Sequence, residues 1–221
     1  MTKTDAEIAE AISHELEWDT RIGANTIEAH VEHGAVVLLG TTGSWAERLA
    51  AQEATHRVDG VREVSNRIEV ELPREARRSD AELAQAVRCA LDWNVFIPKG
   101  KISSTVTDGQ LTLEGLVDVC AQRDDAERAV RNIRGLRRVL NRISVTPVAG
   151  EDLQVQQSLE AAIERRAARE ARRINLDVHD GKAILSGVVR SWALRESVVG
   201  AARGTRGIRS VDDRLLVEPV R

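Results

Sequence analysis

The chain has 221 residues, a mass of 24.3 kDa and a formal net charge of −3, with 42% apolar and 30% charged residues. That balance excludes a disordered chain, and the longest apolar run, Ala35 to Leu39, excludes a transmembrane helix, which needs roughly 20 such residues. Four Trp, one Phe and no Tyr leave the core to Val, Leu, Ile and Ala.

Thr4-Asp5-Ala6-Glu7 predicts a capping box. The helix behind it carries Ile8, Ile12 and Leu16 on one face, since residues four apart stack along a helix. Two short strands of period 2 follow, with Ile27 and Val31, then Val36 and Leu38, turned inward. Val37 and Leu39 point to the opposite face, where another repeat or another subunit is expected to cover them. His33-Gly34 supplies a tight hairpin turn between the strands. Ser44 and Glu47 predict a second capping box, opening a helix with Ala46, Ala50 and Ala54 on its packing side. Gly60 is expected to stop that helix as a left-handed cap. A last strand alternates Val64, Asn66, Ile68 and Val70, and Pro73 closes the unit.

The same plan recurs twice. Gly34, Gly40 and Gly60 are matched in spacing by Gly109, Gly115 and Gly135, and by Gly181, Gly187 and Gly207. An acidic residue stands 29 positions before the first glycine each time, as Asp5, Asp80 and Asp152. The first-helix face becomes Leu83, Val87 and Leu91, then Val155, Leu159 and Ile163. The hairpin strands become Ile102, Val106, Leu111 and Leu113, then Ile174, Val178, Ala183 and Leu185. Ala121 and Ala129, then Ala193 and Ala201, take the alanine places, and Gly135 and Gly207 the caps. Fixed-period self-similarity of this kind marks a repeat architecture. The chain is therefore read as α+β: three tandem αββαβ modules, residues 4–72, 79–147 and 151–219, each with two helices packed on one face of a three-stranded mixed sheet. Short connectors predict that neighbours stack.

Catalytic signatures are absent: there is no G-x-S-x-G, H-E-x-x-H or G-x-x-x-x-G-K-[ST], so no catalytic residue, metal site or cofactor is predicted. His30 and His33, with Glu28 or Glu32, form an incomplete ligand set without counterpart in the other repeats and are read as a solvated turn. Gly200, Gly204 and Gly207 end a helix instead of opening one, which is the wrong geometry for a phosphate loop. Cys89 and Cys120 are read as buried small hydrophobes with free thiols. Met1 to Ile8 leaves no room for a secretory signal, so a cytoplasmic setting is expected.

Charge separates the repeats. Residues 1–75 hold 7 basic and 15 acidic side chains, while residues 76–150 hold 12 and 9 and residues 151–221 hold 13 and 11. In the second repeat Arg128, Arg131, Arg134, Arg137, Arg138 and Arg142 run from the second helix into the last strand. In the third, Arg165, Arg166, Arg169, Arg172 and Arg173 crowd the end of the first helix, where cations meet the negative end of its dipole. These arginines fit two readings: a solvated face partly paired with the acidic repeat, or a peripheral surface for anionic phospholipid headgroups, to which each basic group contributes about 1 kcal/mol. Nucleic acid is not expected, for lack of stacking aromatics beside them. Trp18 and Trp93 follow the first helices, and Trp45 and Trp192 open the second ones; contact between repeats is the expected role of the first pair.

The order Asp-x-x-Ile-x-x-x-Ile-x-x-x-Leu, then Gly-x-Val-x-Leu-x-Gly, then Gly-Val-x-x-Val-x-Asn-x-Ile-x-Val resembles the BON domain, in three tandem copies across nearly the whole chain. The third departs, with Asp213 in place of the Asn, Thr205 at the apolar place of Val58 and Ile133, and Arg172-Arg173 at the loop places of Asn25 and Gly100. The resemblance implies a non-catalytic module with envelope or osmotic-stress roles and phospholipid binding. Many relatives are exported, against the cytoplasmic expectation. A protein-interaction or self-association scaffold, using the acidic first and basic later repeats, is the alternative. A small-ligand or cation sensor is the further one.

Overall fold

A computed structural model describes residues 4–23, 27–147, 152–167, 174–189 and 191–217. The first repeat runs α1 (Asp5–Trp18), β1 (Ile27–Glu32), β2 (Ala35–Thr42), α2 (Trp45–His56), β3 (Glu63–Asn66) and β4 (Glu69–Val70). A one-turn 3-10 segment, Arg74–Ala76, leads to α3 (Asp80–Trp93), β5 (Ile102–Thr107), β6 (Gln110–Val117), α4 (Cys120–Val130) and β7 (Arg138–Val145). The third repeat gives α5 (Asp152–Ala167), β8 (Ile174–His179), β9 (Lys182–Val189), α6 (Trp192–Arg203) and β10 (Ser210–Val217).

Each sheet is built around the second strand of its hairpin. β1 pairs antiparallel with β2, Val31 opposite Val36, and the chain returns through α2 to lay β3 parallel on the other edge of β2, Val36 opposite Val64. β8, β9 and β10 repeat this arrangement, with Val178 opposite Ala183 and Val211 opposite Ala183. The strand order β5-β6-β7 gives the second sheet the same plan. One antiparallel and one parallel partner make each sheet mixed, as the sequence predicts. The core of the first repeat lies where Ile8, Ile12 and Leu16 meet Val36, Leu38, Ala51 and Ala54.

The hairpin turns follow from their two residues. His33, Asp108 and Asp180 have φ of 52°, 51° and 47°, and the glycine after each lies between 71° and 78°. Positive φ at both central positions is the type I′ turn, whose twist matches that of paired strands. The three acidic residues hold these turns from the first helix of each repeat. Asp5 accepts from the His33 and Gly34 N–H groups at 2.8 and 3.1 Å, Asp80 from Asp108 and Gly109 at 2.8 and 2.9 Å, and Asp152 from Asp180 at 3.0 Å.

Several expectations are corrected. Gly60, Gly135 and Gly207 have positive φ but do not cap helices. α2 closes at His56, α4 at Val130, and α6 at a Gly204 cap with φ −86°. These three glycines instead sit in the turn before the last strand; the Gly60 and Gly207 carbonyls lie 2.7 Å from where a Cβ on Gly34 or Gly181 would be. The last strand of the first repeat is broken between Asn66 and Glu69, where the Arg48 guanidinium donates to the carbonyls of Asn66 and Ile68 at 2.6 and 2.9 Å and the Asn66 side chain accepts the Ile68 N–H. Of the alanines expected on the packing side, Ala50, Ala54 and Ala201 are buried, Ala46, Ala121 and Ala129 are half-buried and Ala193 is exposed, while Ala51, Ala126 and Val198 are fully buried beside them. Val37 is half-buried and Leu39 is 37% exposed, so the described residues cover that strand face only in part.

The chain divides into two compact units that do not follow the repeat boundaries. One comprises Met1–Leu91, Ser104–Thr112 and Arg128–Leu140; the other comprises Asp92–Ser103, Leu113–Glu127 and Asn141–Arg221. The second repeat contributes to both. No helix among the described residues is long and apolar enough to cross a membrane.

Candidate functional site

The loop after α3 is the most exposed apolar feature among the described residues. Trp93, Val95 and Phe96 are 86%, 88% and 70% accessible. The backbone beneath them is fixed. Phe96 N–H donates to the Asn94 side-chain oxygen at 3.0 Å, Ile97 N–H to the Asn94 carbonyl at 3.2 Å, and Ile97 is buried as the anchor. Lys99 is exposed just beyond, and Lys101 Nζ pairs with Asp118 at 2.9 Å. The same loop in the first repeat keeps the tryptophan (Trp18, 72% accessible) and the anchor (Ile22), but carries Thr20 and Arg21 where the second has Val95 and Phe96. Arg21 there is drawn back to Asp19 and Glu53 at 2.8 and 2.6 Å. The aligned residues of the third repeat are Arg165, Arg166, Ala167 and Ala168. Among the described residues, an apolar tip of this kind is found in the second repeat. The expectation that Trp18 and Trp93 are covered by neighbouring repeats is overturned by their exposure. Trp45 is buried, with the Arg48 guanidinium 4.8 Å over its ring; the Trp192 side chain lies outside the described residues.

The structure separates the candidate arginines by environment. Arg131 is half-buried in the first unit, and its Nη1 lies 3.1 Å from Glu53, whose other oxygen takes Arg21. Arg142 is exposed and 3.8 Å from Glu114. Arg128 is exposed but engaged. Arg134, Arg137 and Arg138 are exposed, with no ion pair to any described residue. Burial, followed by the charge of Arg138, lowers the pKa of the Arg48 guanidinium. Arg165 is exposed on α5; the Arg166 side chain and Arg169, Arg172 and Arg173 lie outside the described residues.

The remaining sequence candidates are dispersed. His30 and His33 are exposed, and no cluster of three metal-ligating side chains forms among the described residues. Cys120 is buried against the Arg203 carbonyl at 3.3 Å, and desolvation raises its thiol pKa. Cys89, expected inside, is exposed, because it falls on the solvent side of α3 two positions from buried Val87 and Leu91. The loop tip was missed by sequence reasoning although the signal was present, since Val95 and Phe96 stand where the first repeat has Thr20 and Arg21.

Comparison with known proteins places this fold. The BON domain family matches residues 4–71, 79–147 and 151–219, and the chain belongs to that family. It is 26% identical over 141 residues to the osmotically-inducible protein Y of Escherichia coli (strain K12), covering 62% of this chain and 70% of that protein. Among solved structures, two of CdsD, a structural protein of the type III secretion system of Chlamydia trachomatis, align at 15% and 16% identity. They cover 98% and 96% of this chain and 100% and 92% of those chains, with TM-scores of 0.28 and 0.29.

Proposed function

We propose that this is a non-enzymatic, stress-related BON-domain protein that attaches peripherally to anionic phospholipid surfaces, the second of its three modules (4–72, 79–147, 151–219) supplying the contact. The observation that carries this reading is the Trp93, Val95 and Phe96 tip. Solvent-exposed aromatics on a short loop, with a lysine beside them, match the chemistry of a membrane interface, where indole rings settle at headgroup depth and cations meet phosphate. The name of the E. coli relative supports the stress association. Arg165, exposed on α5, would add electrostatic attraction.

Co-sedimentation with phosphatidylglycerol and phosphatidylcholine vesicles tests this. Recovery is expected with the first only. Trp93→Ser with Phe96→Ser is expected to weaken it about tenfold or more, since each buried ring contributes roughly 1.5–3 kcal/mol. Equal recovery on both lipids, or full recovery of the double variant, refutes the reading.

A scaffold reading has one observation in its favour. Glu53 holds Arg21 and Arg131 together, so part of the second repeat's basic charge is spent on the acidic first repeat. The exposed ion pairs involved are each worth at most about 1 kcal/mol, too little by themselves to define an assembly.

A further inference from the structure

The linker between the first two repeats carries Arg74, Arg77 and Arg78, which no sequence pattern above assigns to a function. In the first unit Arg74 and Arg77 line a cleft of about 580 Å³ together with Arg137 and Thr41. Among the lining residues Glu71 is the one carboxylate. All three arginines are exposed, and none has an ion pair to a described residue. A neighbouring cleft of about 310 Å³ shares Leu72, Arg77 and Arg137 and adds Arg78, along with Asp80 and Asp108. The Asp80 carboxylate is already occupied by the hairpin N–H groups.

The guanidiniums are carried on fixed backbone. Arg74–Ala76 form a 3-10 turn closed by Ala76 N–H to the Pro73 carbonyl at 3.0 Å. That turn lies directly on Gly135, where an added Cβ would come within 3.1 Å of the Ala76 carbonyl and 3.0 Å of Arg78 Cγ. Arg137 is anchored by its own N–H to the Gly109 carbonyl at 2.9 Å. Arg62 and Arg209 make the same backbone bond at the other hairpins, 2.8 and 2.7 Å long, but the second linker, from Pro147 to Glu151, contains no arginine. The arrangement is therefore particular to this junction.

We infer that this cleft binds phosphoryl oxygens, as carried by soluble di- and triphosphates or by phospholipid headgroups. Three guanidiniums facing one cavity against a single carboxylate repel one another until an anion enters, and guanidinium forks match phosphate oxygens two at a time. The volume lies in the range of small-molecule sites and exceeds that of one orthophosphate. The inference is independent of the membrane contact through Trp93 and Phe96.

Calorimetric titration with tripolyphosphate, against sodium chloride at matched ionic strength, tests it on the full chain, with a parallel arm of phosphatidylglycerol vesicles in the Trp93→Ser, Phe96→Ser background. Arg74→Ser with Arg77→Ser, and separately Arg137→Ser, are expected to weaken binding about tenfold or more, the loss expected of charge-assisted hydrogen bonds. Arg88→Ser, at an exposed position of α3 outside the cleft, is expected to leave it unchanged. A loss confined to the tripolyphosphate arm supports the site with a soluble ligand, and a loss in the vesicle arm supports it with a headgroup. Unchanged binding in both arms, or an equal heat from chloride alone, overturns the inference.

Discussion

Asp19 shows how much single side chains decide at the start of the loop after α1. Its carboxylate is held well below the usual range, chiefly by the Arg21 guanidinium, which outweighs the opposing effect of burial, with a further lowering by Arg57. A depressed carboxyl pKa contributes stability that is complete above the unfolded value, about 3.9, and is lost as pH falls through the folded value. Urea midpoints measured between pH 7 and pH 2 are therefore expected to fall in the acid limb for the native chain. Asp19→Asn is expected to be less stable at pH 7 and to show a flatter limb; identical limbs would contradict the assignment. The Arg57 part of this network was not legible in the sequence, because it comes from the C-terminal cap of α2, 38 residues on. The repeated aspartates were legible only as a spacing. Their bonds to hairpin N–H groups 28 and 29 residues away leave no periodicity to read. At the position of Asn66 and Asn141, the third repeat shows what the substitution to Asp213 requires. The asparagines accept from the N–H two residues on and donate to the carbonyls of Arg48 and Arg123. Asp213 accepts the equivalent N–H from Leu215 but has no proton to give a carbonyl, and takes the Arg195 guanidinium at 2.8 Å instead.

Elements were the most legible level, because apolar spacing of four and of two reports directly which face is buried. Ile8, Ile12 and Leu16, and their counterparts in α3 and α5, all lie inside as that spacing requires. Capping chemistry was legible at Thr4, and the structure adds a further box in which Ser79 and Glu82 open α3. The break in the last strand of the first repeat was not legible. Val64, Asn66, Ile68 and Val70 alternate straight through it, and the Arg48 guanidinium that meets the break comes from α2. Gly115 carries the sharpest element-scale constraint. At φ 154°, a Cβ there would sit 2.2 Å from the Lys101 carbonyl, so β6 could not keep its approach to the start of β5. Gly115→Ala is expected to destabilise the chain by about 3 kcal/mol or more, in the range of forced backbone displacement. A urea midpoint unchanged from the native chain would show that the strands can part there without penalty.

For the whole molecule, one small fold has been used three times while the exposed residues diverged. The repeat was legible from nine glycines in register, and the acidic-to-basic change from counting charges. Which arginines are engaged was not legible, since Arg131 and Arg134 look alike in sequence and only the fold brings Glu53 to the first. Nor do the compact units follow the repeats, since segments of the second repeat belong to both. The loop that distinguishes the second repeat carries the functional account, and it contains a tryptophan that can report on its own surroundings. In a chain with Trp18, Trp45 and Trp192 each replaced by phenylalanine, Trp93 emission is expected to shift to the blue on adding phosphatidylglycerol vesicles. The shift should reverse with added salt and be absent with phosphatidylcholine. Emission that stays at the solvent-exposed wavelength in excess phosphatidylglycerol would contradict the account.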